Sequence, residues 1–142
     1  MSTFQDLADY PGFEIRRYPA SFQARTEGTG SKAFRRLAKY IFSNGIKMTS
    51  PVLVWKDDPA MMAFTLPSQN GPTPADSRVQ VVRVEPQVVA VARGRNIESI
   101  KAKVLDNGLE AKGTPWVAAY DNPWTTLPMF RKYEVHVPVV YP

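Results

Sequence analysis

Apolar residues recur along this chain at two periods. Phe34, Leu37, Ala38 and Ile41 stand at i, i+3, i+4 and i+7, the spacing of one face of a helix. Ile97, Ile100 and Val104, with Leu105 beside the last, mark a second helix. Other segments read as strands. Phe13-Glu14-Ile15-Arg16-Arg17-Tyr18 alternates and is ended by Pro19, and Ser21 to Arg25 follows it. Val52 to Trp55 and Met61 to Leu66 flank the turn Asp57-Asp58-Pro59. Val79 to Val84 and Val88 to Arg93 flank Glu85-Pro86, and Val117 to Tyr120 and Tyr133 to Val140 come last. Gly28-Thr29-Gly30-Ser31 reads as a turn with Ser31 as the helix N-cap. Asn122 to Met129 (NPWTTLPM) reads as a long loop.

The order repeats. Ser43-Asn44-Gly45-Ile46 closes the first helix and Asp106-Asn107-Gly108-Leu109 the second, both suited to a C-terminal stop. A proline-led apolar run follows each: Pro51-Val52-Leu53-Val54-Trp55 and Pro115-Trp116-Val117-Ala118-Ala119. The expected plan is ββαββ written twice, in half-repeats of about 10–67 and 79–141. They are joined by a linker at 68–78, within a Pro/Gly/Ser-rich stretch. Short turns between sequential strands favour antiparallel pairing of neighbours. The fold class expected is therefore α+β: one domain over 1–142, an antiparallel distorted β-barrel from a pseudo-twofold repeat, flanked by two α-helices. Two similar halves closing on shared space would leave a natural place for a ligand.

Composition narrows the function. A chain of 142 residues can bury a core without covalent staples. With no cysteine, disulfides, thiolate metal sites and thiol catalysis are excluded, which suits a reducing compartment. Residues 1–9 lack the basic start and apolar run of a signal peptide, and no apolar stretch approaches a membrane span. A cytoplasmic monomer is expected. The net charge of +5 mildly favours anionic partners, but it is too dispersed to argue for nucleic acid.

Candidate chemistry is sparse. His136 is the only histidine, so no multi-histidine metal site exists, and no nucleophile-elbow pattern accompanies it. Gly28-Thr29-Gly30-Ser31-Lys32 departs from a phosphate loop and is better read as a capping turn. On the first helix Lys32, Arg35, Arg36 and Lys39 form a basic stripe beside the apolar one. It is either a solvated face or an anion-pairing rim around an apolar pocket. On the last strand Tyr133, Val135, Val137 and Val139 should face the core, leaving Glu134, His136 and Pro138 opposite. The plainer reading puts that opposite face in solvent. If it instead lines a cleft between the halves, Glu134 and His136 form a polar pair able to bind or titrate. Most of the tryptophans and methionines suit core packing, whereas Trp124 and Met129, in the long loop, suit a pocket wall or lid.

Four stretches in order carry a family resemblance: YPGFEIRRYPA from Tyr10, FRRLAKYIFSNGIKMTSPV from Phe34, MAFTLPS from Met62 and YDNPWTTLPMFRKYEVHVPV from Tyr120. Together they resemble the SOUL family of haem-binding proteins over about Tyr10 to Pro142. The resemblance implies a barrel-like β structure with two flanking helices. It also implies reversible binding of haem or another tetrapyrrole as a ligand rather than a catalytic cofactor. It implies a pocket of Phe34, Leu37, Ala38 and Ile41 facing Trp124, Leu127, Pro128 and Met129, with Lys39 toward the propionates; the basic stripe adds Arg35. Some relatives ligate iron with an early histidine, and residues 1–46 contain none. His136 stands where relatives carry an aromatic residue and Tyr133 where they carry asparagine, so the iron ligand is left unassigned. The family looks related in fold to gyrase-inhibitor-like domains that bind varied ligands between two repeats, and some proteins of that wider fold group look like hydrolases using a cleft carboxylate. Those likenesses give an alternative cleft site of Tyr133, Glu134 and His136, for small-molecule binding or for an enzyme with Glu134 as base. No catalytic residue is assigned.

Overall fold

The computed structural model describes residues 4–47, 51–56, 59–67, 72–120 and 132–141. The first half runs β1 (Gln5–Tyr10), β2 (Phe13–Tyr18), β3 (Ser21–Glu27), α1 (Ser31–Ser43), β4 (Val52–Trp55) and β5 (Met61–Thr65). The second runs β6 (Val79–Val84), β7 (Gln87–Arg93), α2 (Ile97–Asp106), β8 (Glu110–Ala111), β9 (Trp116–Ala119) and β10 (Tyr133–Val140). Nine of the strands form one curled antiparallel sheet in the order β1-β2-β7-β10-β9-β4-β5-β3-β6, and short β8 pairs with the end of β10. The architecture is α+β: a half-barrel with both helices packed on its outer face.

Neighbours in sequence pair only in part. β4 joins β5 and β9 joins β10, as adjacency suggests, but β2 pairs with β7 and β3 with β6. The reason lies in the turns. The β1–β2 hairpin closes through Pro11-Gly12, with Gly12 taking the positive φ, whereas Pro19-Ala20 and Glu85-Pro86 hold no glycine to do so. Each half therefore sends its first strand across to the other half, and β4 pairs with β9 at the middle of the sheet.

The two helix ends are built by the same hydrogen bonds. At the first, Ile46 N–H donates to Ile41 C=O at 2.9 Å and Gly45 N–H to Phe42 C=O at 3.3 Å. At the second, Leu109 N–H donates to Val104 C=O at 3.1 Å and Gly108 N–H to Leu105 C=O at 3.0 Å. In both, a glycine with positive φ follows an asparagine whose side chain donates to the carbonyl four residues back. The helix starts differ. Asn96 accepts from Ser99 N–H at the head of α2, whereas Gly30 precedes α1 with no side-chain cap, and Ser31 is already helical.

Outer-face packing uses the predicted periodicity. Leu37, Ala38 and Ile41 of α1 pack with Phe64 and Met62, and Ile100 and Val104 of α2 pack with Ile15, Val135 and Val137. A third cluster, Leu53, Trp55, Ala63, Val89, Val91, Trp116 and Ala118, lies on the inner face, where strands of both halves meet. β1, an edge strand with half of its residues exposed, has no clear sequence signal.

Candidate functional site

Period-two alternation sorts the side chains of the central strands between the two faces. On β10, Val135, Val137 and Val139 belong to the cluster under α2, so Glu134 and His136 fall on the inner face. On β2, Phe13 and Ile15 turn to the helix side, leaving Glu14, Arg16 and Tyr18 within reach of β10 across β7. The solvent reading of the Glu134/His136 face is thereby corrected. His136 is only 3% exposed because Tyr18 stacks on its ring at 5.7 Å and Trp116 lies against it at 5.6 Å.

These residues form one hydrogen-bonded network. Arg16 donates from Nη1 to Glu134 Oε1 at 3.1 Å and from Nη2 to Oε2 at 3.2 Å, a bidentate pair. It also donates from Nε to Glu14 Oε1 at 3.0 Å, with a second contact from Nη2 to the same oxygen, and from Nη1 to Tyr18 Oη at 3.0 Å. His136 Nε2 lies 3.1 Å from Glu134 Oε1, and the Tyr120 hydroxyl interacts with both Glu134 and Tyr18. Phe4 covers Arg16, its ring centroid 4.1 Å from the guanidinium carbon.

The charges follow from this geometry. Burial alone would raise the Glu134 carboxyl, but hydrogen bonds from His136 and Tyr120 and the charge of Arg16 outweigh it and hold the group at about 2. Burial pushes His136 below its ordinary value, against the pull of Glu134. Arg16, on both carboxylate oxygens, supplies a fixed positive charge to Glu134. Burial pushes the Tyr120 hydroxyl up, and Tyr18 and Glu134 add to the shift. A carboxylate so acidic and so fully engaged is a weak general base, so the network is better suited to holding a cleft in shape than to proton abstraction.

Beside the network lies open space. A cavity of about 650 Å³ next to the β6–β7 turn is lined by Gln23, Arg25, Trp55, Gln87 and Trp116, with Arg17 and Lys112 adding positive charge. Arg25 lies 5.1 Å from the Trp55 ring centroid, and the Trp55 and Trp116 rings are 5.5 Å apart. Among the described residues Arg25, Arg17 and Lys112 have no carboxylate partner, whereas Glu85, on the same wall, is paired with Arg83. A smaller cavity of about 40 Å³ shares Gln23, Gln87 and Trp116 with the larger one and reaches Tyr18 and His136.

The other sequence-predicted residues lie elsewhere. Leu37 and Ile41 are fully buried and Ala38 nearly so, inside the core between α1 and the sheet. Phe34 is half-buried against Phe64, while Arg35 and Lys39 are exposed. Trp124, Leu127, Pro128 and Met129 lie outside the described residues. Tyr133 is not beside Glu134 and His136 but on the opposite face, under Arg95 at 4.7 Å. The inner-face residues that sequence reasoning did not assign to a site are Arg16, Tyr18, Gln23, Arg25, Trp55, Trp116 and Tyr120. A signal existed for Arg16 and Tyr18, which alternate with Phe13 and Ile15 in the same way that Glu134 and His136 alternate with valines. Among the described residues no cluster of acidic, histidine or cysteine side chains is able to hold a metal ion.

A family model described as SOUL heme-binding protein matches residues 2–138. The chain belongs to this SOUL family, which gives it a haem- or tetrapyrrole-binding role in general. No curated protein matches it in sequence. Among solved structures, it is similar to the C-terminal domain of EcmrR, with 12% identity, TM-score 0.66 and coverage of 98% of this chain and 99% of that one. It is also similar to a hydrolase from Listeria innocua, with 14% identity, TM-score 0.66 and 94% coverage of both chains. In the EcmrR–DNA complex the match has 10% identity and TM-score 0.68, covering 96% of this chain and 57% of that one. At such identities the likeness shows the fold. No helix among the described residues is long and apolar enough to cross a membrane.

Proposed function

We propose that this protein binds haem or a related tetrapyrrole reversibly, as a carrier, buffer or sensor, and that the ligand seats in the inner-face cleft between the halves. The observation that carries this reading is a cavity of about 650 Å³, walled by Trp55 and Trp116 and flanked by Arg25, Arg17 and Lys112, which have no carboxylate partner among the described residues. Its volume lies in the range of small-molecule sites, roughly 300–1,000 Å³. Tryptophan faces suit a flat apolar ring system, and unpaired cations suit propionates. An outer site on α1 has less to offer. With Leu37, Ala38 and Ile41 already in the core, only Phe34, Arg35 and Lys39 of the predicted helix residues are accessible there.

His136 does not present a free Nε2 to iron, since that atom faces Glu134. Affinity then comes from apolar burial and carboxylate pairing, which favours reversible binding. The clamped Glu134 also argues against the reading in which this carboxylate attracts lipophilic cations, because Arg16 already takes both of its oxygens. A haemin titration followed at the Soret band should saturate near one equivalent and quench tryptophan emission. Binding that never saturates would sink the proposal.

A further inference from the structure

We infer that α1 carries a docking surface for an anionic lipid bilayer: Lys32, Arg35 and Lys39 meet the headgroups, and Phe42 enters the boundary between headgroups and acyl chains. This surface lies on the outer face of the sheet, away from the inner-face cleft, and does not depend on what that cleft binds.

Counted by segment, the positive charge of the chain is not dispersed. No acidic residue occurs between Glu27 and Asp57, a stretch that holds Lys32, Arg35, Arg36, Lys39, Lys47 and Lys56. Of the 18 Lys and Arg, the twelve outside it stand against all 13 Asp and Glu, so the excess is gathered here. The helix then sorts its cations. Arg36 is half-buried and tied to β3, donating from Nη1 to Thr26 Oγ1 at 2.7 Å and to Glu27 C=O at 3.3 Å. Lys32, Arg35 and Lys39 are exposed and have no carboxylate partner among the described residues. With Phe42 they stand at i, i+3, i+7 and i+10, one ridge within about 80° of arc at 3.6 residues per turn, opposite Leu37 and Ile41 in the core.

Phe42 favours lipid over other anionic partners. It is 61% exposed at the end of the ridge. A nucleic-acid backbone would engage the cations and leave that ring in water, whereas an anionic bilayer takes both. The second helix supplies the contrast. Leu105 stands two residues before Asn107-Gly108, as Phe42 stands two before Asn44-Gly45, and it is 62% exposed. Glu98 and Asp106 of α2, however, offset its Lys101 and Lys103. An exposed apolar residue is thus present on both helices, and only α1 joins it to unopposed positive charge.

The test is co-sedimentation of the full chain with vesicles of phosphatidylcholine, alone or with about 30% phosphatidylserine. The wild type should bind the anionic vesicles at about 0.1 M salt, leave them as salt rises to about 0.5 M, and stay off the neutral ones. The triple variant Lys32→Gln, Arg35→Gln, Lys39→Gln should bind about a hundredfold more weakly, about fivefold for each charge. Phe42→Ala should lose about fivefold and Leu105→Ala less than about twofold. Circular dichroism checks each fold. No binding to the anionic vesicles, binding that ignores lipid charge, a triple variant that binds like the wild type, or equal losses from Phe42→Ala and Leu105→Ala would overturn the inference. So would a triple variant that fails beside a Phe42→Ala that binds in full, a pattern that gives the stripe to a nucleic acid or an acidic protein. If the triple variant does not fold, Lys39→Gln and the salt series serve instead: about fivefold weaker binding and release by salt are expected, and the absence of either overturns the inference.

Discussion

On β10, Val135, Val137 and Val139 face α2, while Glu134 and His136, between and beside them in sequence, face the inner cleft. The same contrast runs across the sheet. The helix-covered face is closed by aliphatic and aromatic packing, with Leu37, Ile41, Phe64 and Val104 fully buried. The inner face places Arg16, Gln23 and His136 at similar depth and leaves cavities beside them. A polar group at that depth must be paired. Its pairing with neighbours on other strands holds the curled sheet in one shape. The outer face therefore carries stability, and the inner face carries shape and recognition.

Phe64→Ala should cost the most, about 3–5 kcal/mol, through the cavity left under α1. Urea unfolding would measure it, and haemin affinity of the folded fraction should be unchanged. On the inner face, Glu134→Ala removes the bidentate partner of the buried Arg16, which keeps Glu14, and should cost about 2 kcal/mol. Replacing both partners, as Arg16→Met with Glu134→Leu, should recover most of that. A double variant as unstable as the single one would mean that the network does more than neutralise its own charges.

Acid separates the faces further. His136 has a depressed pKa in the fold, so its contribution is full above its ordinary value of 6.5 and shrinks as pH falls below it, while the unfolded chain takes up the proton. Glu134, held at about 2 against an ordinary 4.5, contributes stability above 4.5 that is lost as pH falls toward 2, roughly 3 kcal/mol in all. Stability should therefore decline in two stages on acidification, and Glu134→Gln should remove the lower one. Unfolding free energies across pH 2–7 that show one stage in both proteins would contradict this assignment.

The helices, their Asn-Gly stops and most strands were legible in sequence, because periodicity and turn chemistry are local. The pairing of β2 with β7 was not, since nothing within FEIRRY names a partner on a distant strand, and short turns between sequential strands suggested neighbours instead. The same gap hid the site. Parity put Glu134 and His136 on one face, yet whether that face met solvent or a cleft depended on strands more than a hundred residues away in sequence, such as the one carrying Arg16. The apolar stripe of α1 was read correctly as a stripe. Its burial against Phe64 and Met62 shows it serving the core, leaving the basic residues outside.

The most direct measurement is a pair of haemin titrations, on Arg25→Glu and on Lys39→Glu, each checked for an intact fold by circular dichroism. Both reverse one charge, the first at the inner cleft and the second on the exposed side of α1. A ligand seated on the inner face predicts that Arg25→Glu weakens binding by about tenfold or more and that Lys39→Glu changes it less than about twofold. The reverse pattern, with Lys39→Glu losing affinity and Arg25→Glu keeping it, would contradict the account and place the ligand on the outer helix.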